Sequence, residues 1–200
     1  MVSDEIYDEI IYNKASFTSI GELAKGIPHI ILNGLSKNFS GTGFRIGFII
    51  IPEQDKISDQ LKKKFKDYSL IEFSLNTPSQ FAAAAALNNK KEHKKSIETL
   101  IKKVEKRANL AFDLLNENEF LDVVRPQGAF YIFPKFNYKK LKFKNDKEFS
   151  DLLLKEHGIQ LKRGSIFGKQ YHFRIVCLAP EELLRYSIDK INILLNKYKK

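Results

Sequence analysis

The sequence predicts a fold in which short strands alternate with helices, of the α/β or α+β kind. Two apolar runs, residues 29–32 and 48–51, flank a loop of small residues and have the composition of buried strands. Apolar residues recur at helical spacing between residues 90 and 118. From residue 128 onward, strand-like and helix-like segments follow one another, which is the pattern of a mixed α and β domain.

The loop between the two apolar runs carries the residues with the clearest chemical meaning. Ser36 and Lys37 lie at its start, and Arg45 lies within residues 41–47 (Gly-Thr-Gly-Phe-Arg-Ile-Gly). A lysine on a rigid loop beside apolar strands can be partly dehydrated, which favours the neutral amine that attacks a carbonyl. Small residues let a ligand approach the backbone, and an arginine supplies a planar fork for a phosphate. An amine nucleophile beside a phosphate-binding arginine suggests pyridoxal phosphate held as a Schiff base.

The glycines of this loop also resemble a dinucleotide-binding motif, but the spacing is wrong. Gly41, Gly43 and Gly47 are one residue too far apart for that fingerprint. They also precede a strand-like run rather than a helix. We therefore reject a nucleotide-binding interpretation.

Four segments resemble class I and II aminotransferases of fold type I, in the family's order. Residues 33–39 (Asn-Gly-Leu-Ser-Lys-Asn-Phe) with residues 43–47 resemble the family's cofactor-lysine signature. Residues 2–10 resemble its segment with the cofactor-binding Asp and Tyr, residues 125–134 its small-domain strand, and residues 173–176 its substrate-arginine strand. The likeness covers essentially the whole chain and is greatest to the alanine and aspartate aminotransferase branch.

The resemblance implies roles for three residues around the cofactor ring. Asp4 would pair with the pyridine nitrogen of pyridoxal 5'-phosphate and keep the ring protonated, so that the ring can accept electrons. Tyr7 would donate a hydrogen bond to the ring 3-oxygen. Lys37 would carry the cofactor as a Schiff base and then move a proton between the substrate α-carbon and the cofactor.

The same resemblance implies the residues that hold the phosphate and the substrate. Ser36 and Arg45 would bind the phosphate, and Arg174 would bind the substrate α-carboxylate through two parallel hydrogen bonds. Asn76, in a loop that lies beside the cofactor in the family, is a further candidate contact; the alternative is an ordinary loop asparagine before a helix.

For the fold, the resemblance implies an α/β chain that is the C-terminal part of a fold type I transferase. Residues 1–90 would be a remnant of the large mixed-sheet domain, and residues 91–200 the small α/β C-terminal domain, entered by a long bridging helix. A family member is about twice as long, so we expect a truncated gene product or a fragment. The absent half would carry the glycine-rich phosphate loop and the aromatic residue stacked on the cofactor.

Local signals predict several element boundaries. Thr77 is expected to cap a helix, with Pro78 in its first turn and Gln80 completing a capping box. Further elements are expected at these positions: a helix over 90–118, a strand over 128–133, a helix from the capping box at 145–148 to Gly158, strands over 159–162 and 173–178, and a last helix opened by residues 180–182.

Composition limits the compartments and partners. No apolar run reaches the length of a membrane span, and Cys177 is the only cysteine, which fits a reducing cytoplasm. The net charge of +10 comes from lysines spread along helices between glutamates, which favours a solvated surface over nucleic-acid binding. The histidines have no metal-ligand spacing on one helix face, so no metal site is predicted; they are His29, His93, His157 and His172.

Several functions remain open at this point. The first is a transaminase that moves an amino group between an L-amino acid, alanine- or aspartate-like, and a 2-oxo acid such as 2-oxoglutarate. Others are a β-lyase or another pyridoxal phosphate reaction on the same fold, an inactive C-terminal remnant or assembly module, and, last, a basic nucleic-acid binder. A homodimer is expected from the likeness alone.

Overall fold

A computed structural model of the chain describes residues 1–52, 56–71 and 75–200. The chain divides into two compact units, Met1–Ile101 and Lys102–Lys200. The division falls inside the long helix Lys90–Asn116.

The first unit contains a small mixed sheet. Its strands are β1 (Val2–Asp4), β2 (Ile30–Gly34) and β3 (Gly47–Ile50), in the order β1-β2-β3. Strands β1 and β2 run parallel, with Asp4 opposite Leu32, while β2 and β3 run antiparallel, with Gly34 opposite Gly47. The two predicted apolar runs are therefore strands, as expected, and the loop of small residues connects them.

The helices of the first unit include two that the sequence analysis missed, a four-residue helix at Ile20–Leu23 and a longer one at Lys56–Ser69. The helices of this unit are α1 (Ile20–Leu23), α2 (Lys56–Ser69), α3 (Thr77–Asn88) and the first part of α4 (Lys90–Asn116). Helix α2 was not predicted, although Ile57, Leu61 and Phe65 recur every four residues along it. Its many lysines conceal this pattern, and among the described residues of α2 only Ser58 is buried.

The second unit combines two small sheets with helices. Its elements are the end of α4, β4 (Leu121–Asp122), β5 (Tyr131–Ile132), β6 (Lys135–Phe136), α5 (Asp146–His157), β7 (Lys162–Arg163), β8 (Phe173–Val176) and α6 (Glu181–Lys197). Strands β4 and β6 pair with each other, and the other sheet has the order β5-β8-β7, all antiparallel.

The strands of the second unit are shorter than the sequence predicts. The strand expected over 128–133 is only β5, because Ala129 adopts a left-handed conformation (φ 54°) that turns the backbone just before it. The strand expected over 159–162 overlaps β7 in one residue, and the one over 173–178 ends at Val176. The length of β5 and of β7 is set by how far each pairs with β8. Local residue preferences do not show where that pairing stops.

The helices of the second unit agree well with the sequence prediction. Asn145 caps α5 by accepting a hydrogen bond from the Glu148 backbone N–H at 2.9 Å, and Gly158 ends the helix in the left-handed conformation (φ 68°). The Glu148 side chain accepts from the Lys144 backbone N–H, one residue earlier than a standard capping box requires. Helix α6 begins directly after Pro180, as expected.

The core of the second unit is aromatic and closed. Phe136, Phe149 and Phe173 are fully buried, and the Phe149 ring centroid lies 5.5 Å from that of Phe136 and 5.1 Å from that of Phe173. Apolar residues of three helices complete it: Ala108, Ala111, Leu115, Leu153, Ile188, Ile191 and Leu195. The apolar residues that recur along α4 therefore include part of this core.

Two further features bear on the sequence predictions. Cys177 is completely buried, and burial raises the pKa of its thiol to about 12, so the thiol stays protonated and is no nucleophile. No helix within the described ranges has both the length and the apolarity needed to cross a bilayer.

Candidate active site

The parallel pairing of β1 and β2 brings two predicted site segments to one edge of the sheet. Asp4 ends β1, and the turn that carries Ser36 and Lys37 follows the end of β2. The Glu5 backbone N–H donates to the Leu32 carbonyl at 2.9 Å, which continues the pairing past Asp4. In open α/β sheets, ligands bind beyond the carboxyl ends of the strands. Both segments lie at such an edge.

Lys37 and Tyr7 meet at this edge. The Lys37 Nζ lies 5.7 Å from the centroid of the Tyr7 ring, within the range of a cation–π contact. Both side chains are half-buried. The structure therefore brings together an amine and a phenol that lie thirty residues apart in the sequence.

Asp4 presents its carboxylate at the protein surface. Its Oδ1 accepts a hydrogen bond from the Ile6 backbone N–H at 3.2 Å, and the residue is exposed. This bond within the turn orients the carboxylate at the end of β1. Asp4 is thus accessible to a cationic ring nitrogen at the same sheet edge as the Lys37 turn.

Ser36 and Arg45 lie at equivalent positions on two antiparallel segments. Each is two residues beyond the Gly34–Gly47 pair that ends the β2–β3 ladder. The Leu35 backbone N–H donates to the Ile46 carbonyl at 3.2 Å, so the two segments remain together beyond the ladder. Arg45 is exposed and left-handed (φ 57°), and its Nη1 donates to the Thr42 carbonyl at 2.9 Å.

Glycine at position 34 is a requirement of this close approach. A Cβ there would lie 2.7 Å from the Ile46 carbonyl oxygen, a contact that no side chain could make without moving the backbone. The same reasoning holds at Gly41, where a Cβ would lie 2.9 Å from the Leu35 carbonyl oxygen. Small residues therefore fold the Arg45 loop against the residue that precedes Ser36.

Asn76, and not Thr77, caps α3. The Asn76 Oδ1 accepts from the backbone N–H and from the hydroxyl of Ser79, both at 3.0 Å. The prediction of a Thr77 cap and a Gln80 capping box is wrong, because the helix includes Thr77 and the Gln80 side chain donates to the Leu75 carbonyl instead. The cap occupies the Asn76 oxygen and leaves a ligand role only to its amide nitrogen.

Asp8, a residue that the sequence analysis did not select, connects the Tyr7 segment to the Lys37 turn. Its Oδ2 accepts from Asn33 Nδ2 at 3.0 Å, and its Oδ1 accepts from Asn38 Nδ2 at 2.6 Å. Asn38 is 3% exposed, and its Oδ1 is buried with no hydrogen-bond partner in the described structure. No local sequence signal pairs residue 8 with residues 33 and 38.

The neighbouring acid, Glu9, makes a second connection to the same turn. Its Oε2 lies 2.7 Å from Nε2 of His93 on α4. The His93 ring stacks on Phe39, with the ring centroids 4.0 Å apart and the planes at 17°. Phe39 follows Asn38 directly. Asp8 and Glu9 are therefore connected to the two residues that follow Lys37.

In the second unit, Arg174 lies between two aromatic rings. Its guanidinium carbon is 4.3 Å from the ring centroid of Tyr131 and 4.3 Å from that of Phe167. The Arg174 Nε is buried, and within the described ranges it has no hydrogen-bond partner. An arginine held beside aromatic rings, with one N–H that has no partner, has the chemistry of a carboxylate-binding group.

The support for Phe167 comes from a buried acid. Phe167 ends the short 3-10 helix Gly164–Phe167. The Asp146 Oδ2 accepts from the Ser165 backbone N–H at 2.6 Å, and Asp146 is 2% exposed. Sequence reasoning missed Tyr131, Phe167 and Asp146, because their importance depends on contacts between separate elements.

The fold and this site define a class of protein, and comparisons with known proteins agree. The chain belongs to the aminotransferase class I and II family, whose profile matches residues 1–191. Its α/β structure is that of fold type I aminotransferases over about half of their length. The family and the fold inferred from the four segments are therefore confirmed.

Individual relatives show how far the similarity extends. The chain is 35% identical to the aspartate aminotransferase of Pyrococcus abyssi over 202 residues, covering 100% of this chain and 49% of that protein. It is 32% identical to the glutamate-pyruvate aminotransferase of Escherichia coli K12, covering 98% of this chain and 49% of that one. The alanine aminotransferase structure from Pyrococcus furiosus superposes with a TM-score of 0.90 at 34% identity, over 98% of this chain and 49% of that one. The chain thus spans about half the length of the relatives it matches.

Proposed function

We propose that these residues form the C-terminal part of a pyridoxal 5'-phosphate-dependent transaminase. The amino donor would be an L-amino acid of the alanine or aspartate type, and the acceptor a 2-oxo acid such as 2-oxoglutarate. The observation that carries the proposal is the meeting of Lys37 with Tyr7 at the carboxyl edge of a parallel strand pair. Similarity to an aspartate aminotransferase and to a glutamate-pyruvate aminotransferase supports the substrate class.

The chemistry of the available groups fits this cofactor. It has a basic ring nitrogen, a ring hydroxyl, an aldehyde and a phosphate. Asp4 and Tyr7 offer an acceptor and a phenol at the same sheet edge as the amine of Lys37. Ser36 and Arg45 occupy equivalent backbone positions on the two segments beyond the β2–β3 ladder and offer a hydroxyl and a guanidinium for the phosphate. The amide nitrogen of Asn76 is a further candidate donor.

Each residue has a definite task in the proposed reaction. When bound, the cofactor withdraws electrons from the α-carbon of the amino acid. Asp4 favours the protonated ring nitrogen, and Tyr7 donates to the ring oxygen. Lys37 would hold the cofactor through its amine, and the same amine would be the base that accepts the substrate α-proton and the acid that returns it. Ser36 and Arg45 keep the phosphate in place during this exchange.

Arg174 would bind the α-carboxylate of the substrate. The Tyr131 and Phe167 rings both lie 4.3 Å from its guanidinium carbon and would help to hold the group in place. The Nε–H is buried and has no partner in the described structure, and in a side-on pair it would be one of the two donors to a carboxylate. Binding a carboxylate would satisfy this donor.

The assembly and compartment follow the same proposal. We propose that the whole enzyme is a homodimer, as in the family, and that it works in the cytoplasm, which fits a single buried cysteine. Light scattering of the purified protein tests the first point. A monomer that transaminates at full rate would contradict the dimer.

The proposal is tested at Lys37. Lys37→Ala removes both the attachment point and the proton-moving amine, so we expect the transamination rate to fall about a thousandfold or more. Borohydride reduction in the presence of the cofactor, followed by peptide mass spectrometry, is expected to find a pyridoxyl label on Lys37 of the unsubstituted protein and none in the variant.

Lys25→Ala is the matched control, because Lys25 is an exposed lysine of the same unit. It is expected to keep both the label on Lys37 and the rate. Preferential labelling of a different lysine would contradict the proposal. Assays with alanine, aspartate and cystathionine as donors then separate a transaminase from a β-lyase.

A further inference from the structure

We propose that Asp8 is a positioning residue for Lys37. Its carboxylate fixes the turn from which the amine projects, although Asp8 itself touches neither substrate nor cofactor. This inference depends on the proposed function of Lys37. It concerns a residue outside the set that the sequence motif indicates.

The first argument is the geometry of the carboxylate. Asp8 uses one oxygen for Asn33 Nδ2 at 3.0 Å and the other for Asn38 Nδ2 at 2.6 Å. Asn33 is the second-to-last residue of β2, and Asn38 follows Lys37 directly. One rigid group therefore holds both ends of the segment that contains Ser36 and Lys37. Hydrogen bonds to an ionised acceptor are stronger than those between neutral groups.

The second argument is the unfavourable state of Asn38. Its side chain is buried, and its Oδ1 has no hydrogen-bond partner in the part of the chain that the structure describes. A buried amide oxygen without a partner destabilises a fold. Stability alone therefore does not explain an asparagine at this position. A requirement for its Nδ2 to reach Asp8 does explain it.

The third argument is the connection of the next two residues. Glu9 pairs with His93, and the His93 ring stacks on Phe39 at 4.0 Å. Glu9 thus restrains Phe39 through the imidazole of His93. Two restraints on the same side of Lys37 fix the direction in which its side chain leaves the backbone.

The consequence for the reaction concerns placement of the amine. Lys37 has to reach the cofactor aldehyde and afterwards the substrate α-carbon, and both steps depend on its being held close to the reacting atoms. A loosened turn would reduce the rate of each step, while Arg174, which would bind the substrate carboxylate, belongs to the other unit. Loss of the Asp8 contacts should therefore lower kcat and leave KM for the amino acid nearly unchanged.

The test uses the full chain and measures labelling at Lys37 as well as turnover. Asp8→Asn keeps the size of the side chain but sets one amide N–H2 against another. We expect the rate of pyridoxyl labelling of Lys37 under borohydride, and kcat, to fall about tenfold, the effect of losing a charge-assisted hydrogen bond. Labelling of the other lysines should not change, and their peptides are internal standards in the same digest.

A rescue and a matched control make the test specific. Asp8→Asn combined with Asn38→Asp exchanges donor and acceptor and restores the bond between positions 8 and 38, so labelling should recover most of the loss. Asp151→Asn is the same chemical change at an exposed carboxylate of α5, paired with Lys147, and it should have no effect. If Asp8→Asn does not fold, Asn38→Ser takes its place, since it removes one contact and leaves Asp8 bonded to Asn33.

The outcomes separate this inference from the proposed function. If Lys37 of the unsubstituted chain is not labelled in preference to other lysines, the proposed function fails. If Lys37 is labelled but Asp8→Asn is labelled at the same rate, the role of Asp8 is wrong. A double exchange that stays as slow as Asp8→Asn would also overturn it.

Discussion

The two units of the chain bury their large apolar side chains to different extents. In the second unit Phe136, Phe149 and Phe173 are fully buried in one aromatic core. In the first unit Phe81 is 74% exposed, and apolar residues of the β3 strand, Ile49 and Ile50, are exposed as well. The unit that contains Arg174 completes a core from its own residues. The unit with the lysine has a three-stranded sheet and helices whose apolar faces are incompletely covered in the described structure.

The largest expected effect comes from a matched pair of phenylalanines. Phe149→Ala leaves a cavity among three other aromatic rings and should lower the free energy of unfolding of the second unit by about 3–5 kcal/mol. Phe81→Ala should change the stability of the first unit by no more than about 0.5 kcal/mol. Urea denaturation followed by hydrogen exchange of peptides from each unit measures both.

This pair can also break the comparison. A cost at Phe81 as large as the cost at Phe149 would mean that another surface covers Phe81 in solution. Such a result would assign the uncovered faces of the first unit to an interface.

A smaller effect is expected from the two helix caps, which use the same residue in different units. Asn145→Ala and Asn76→Ala each remove an acceptor for a backbone N–H, at 2.9 Å in α5 and at 3.0 Å in α3. Each change should cost about 1 kcal/mol. The amide protection of the first turn of each helix should fall about fivefold. Hydrogen exchange without cofactor measures it.

The two caps allow a direct comparison of the units, because each substitution removes the same type of hydrogen bond, from a backbone N–H to an asparagine side chain. Before either substitution, the first turn of α3 should already exchange faster than that of α5, because the surroundings of α3 contribute less stability. Equal protection of the two first turns in the unsubstituted chain would contradict a weaker first unit.

The smallest effect concerns an ion pair on the surface of the second unit. The Lys197 ammonium donates to Glu156 at 2.7 Å, and this bond lowers the pKa of Glu156 below its ordinary value of 4.5. The Glu156 carboxylate raises the pKa of Lys197 above 10.5 by the same bond. A carboxyl group whose pKa is lowered by folding stabilises the folded state above its unfolded-state pKa, and this stabilisation is lost as the pH falls through the folded-state pKa. A lysine whose pKa is raised by folding stabilises the folded state below pH 10.5, and this stabilisation is lost as the pH rises through the folded-state pKa.

Glu156→Gln should therefore lower the Tm of the second unit slightly at pH 7, by about one or two degrees. The difference should disappear in acid, once Glu156 of the unsubstituted chain is protonated. Calorimetry at both pH values checks this. A difference that persists in acid would mean that the glutamine changes the packing and not the charge.

Sequence reasoning worked well wherever a local signal determines structure. The periodic apolar residues of α4, the Asn145 cap and the Gly158 stop of α5 are encoded within a few neighbouring residues. The same reasoning failed at α3, where two adjacent residues, Asn76 and Thr77, are both good caps and only the path of the chain selects between them. It also failed for α2, because its lysine-rich sequence conceals an apolar stripe.

Some residues of the candidate site were likewise indicated by a local sequence motif, and others only by contacts in the structure. The motif around Lys37 indicated Ser36, Lys37 and Arg45, which stand close together in the sequence. Tyr131 and Phe167, which enclose Arg174, carry no local signal of that role. Asp8 stands beside Tyr7 in the motif, but its bonds to Asn33 and Asn38 span 25 and 30 residues.

The amino-acid sequence by itself therefore determined the family and the helices α4 and α5, because each depends on residue type and short-range spacing. The tertiary structure alone decided how far the short strands extend and which carboxylate holds the lysine turn. It also decided which rings enclose the arginine. These features depend on contacts between residues distant in the chain, and those contacts exist only when strands and helices have packed.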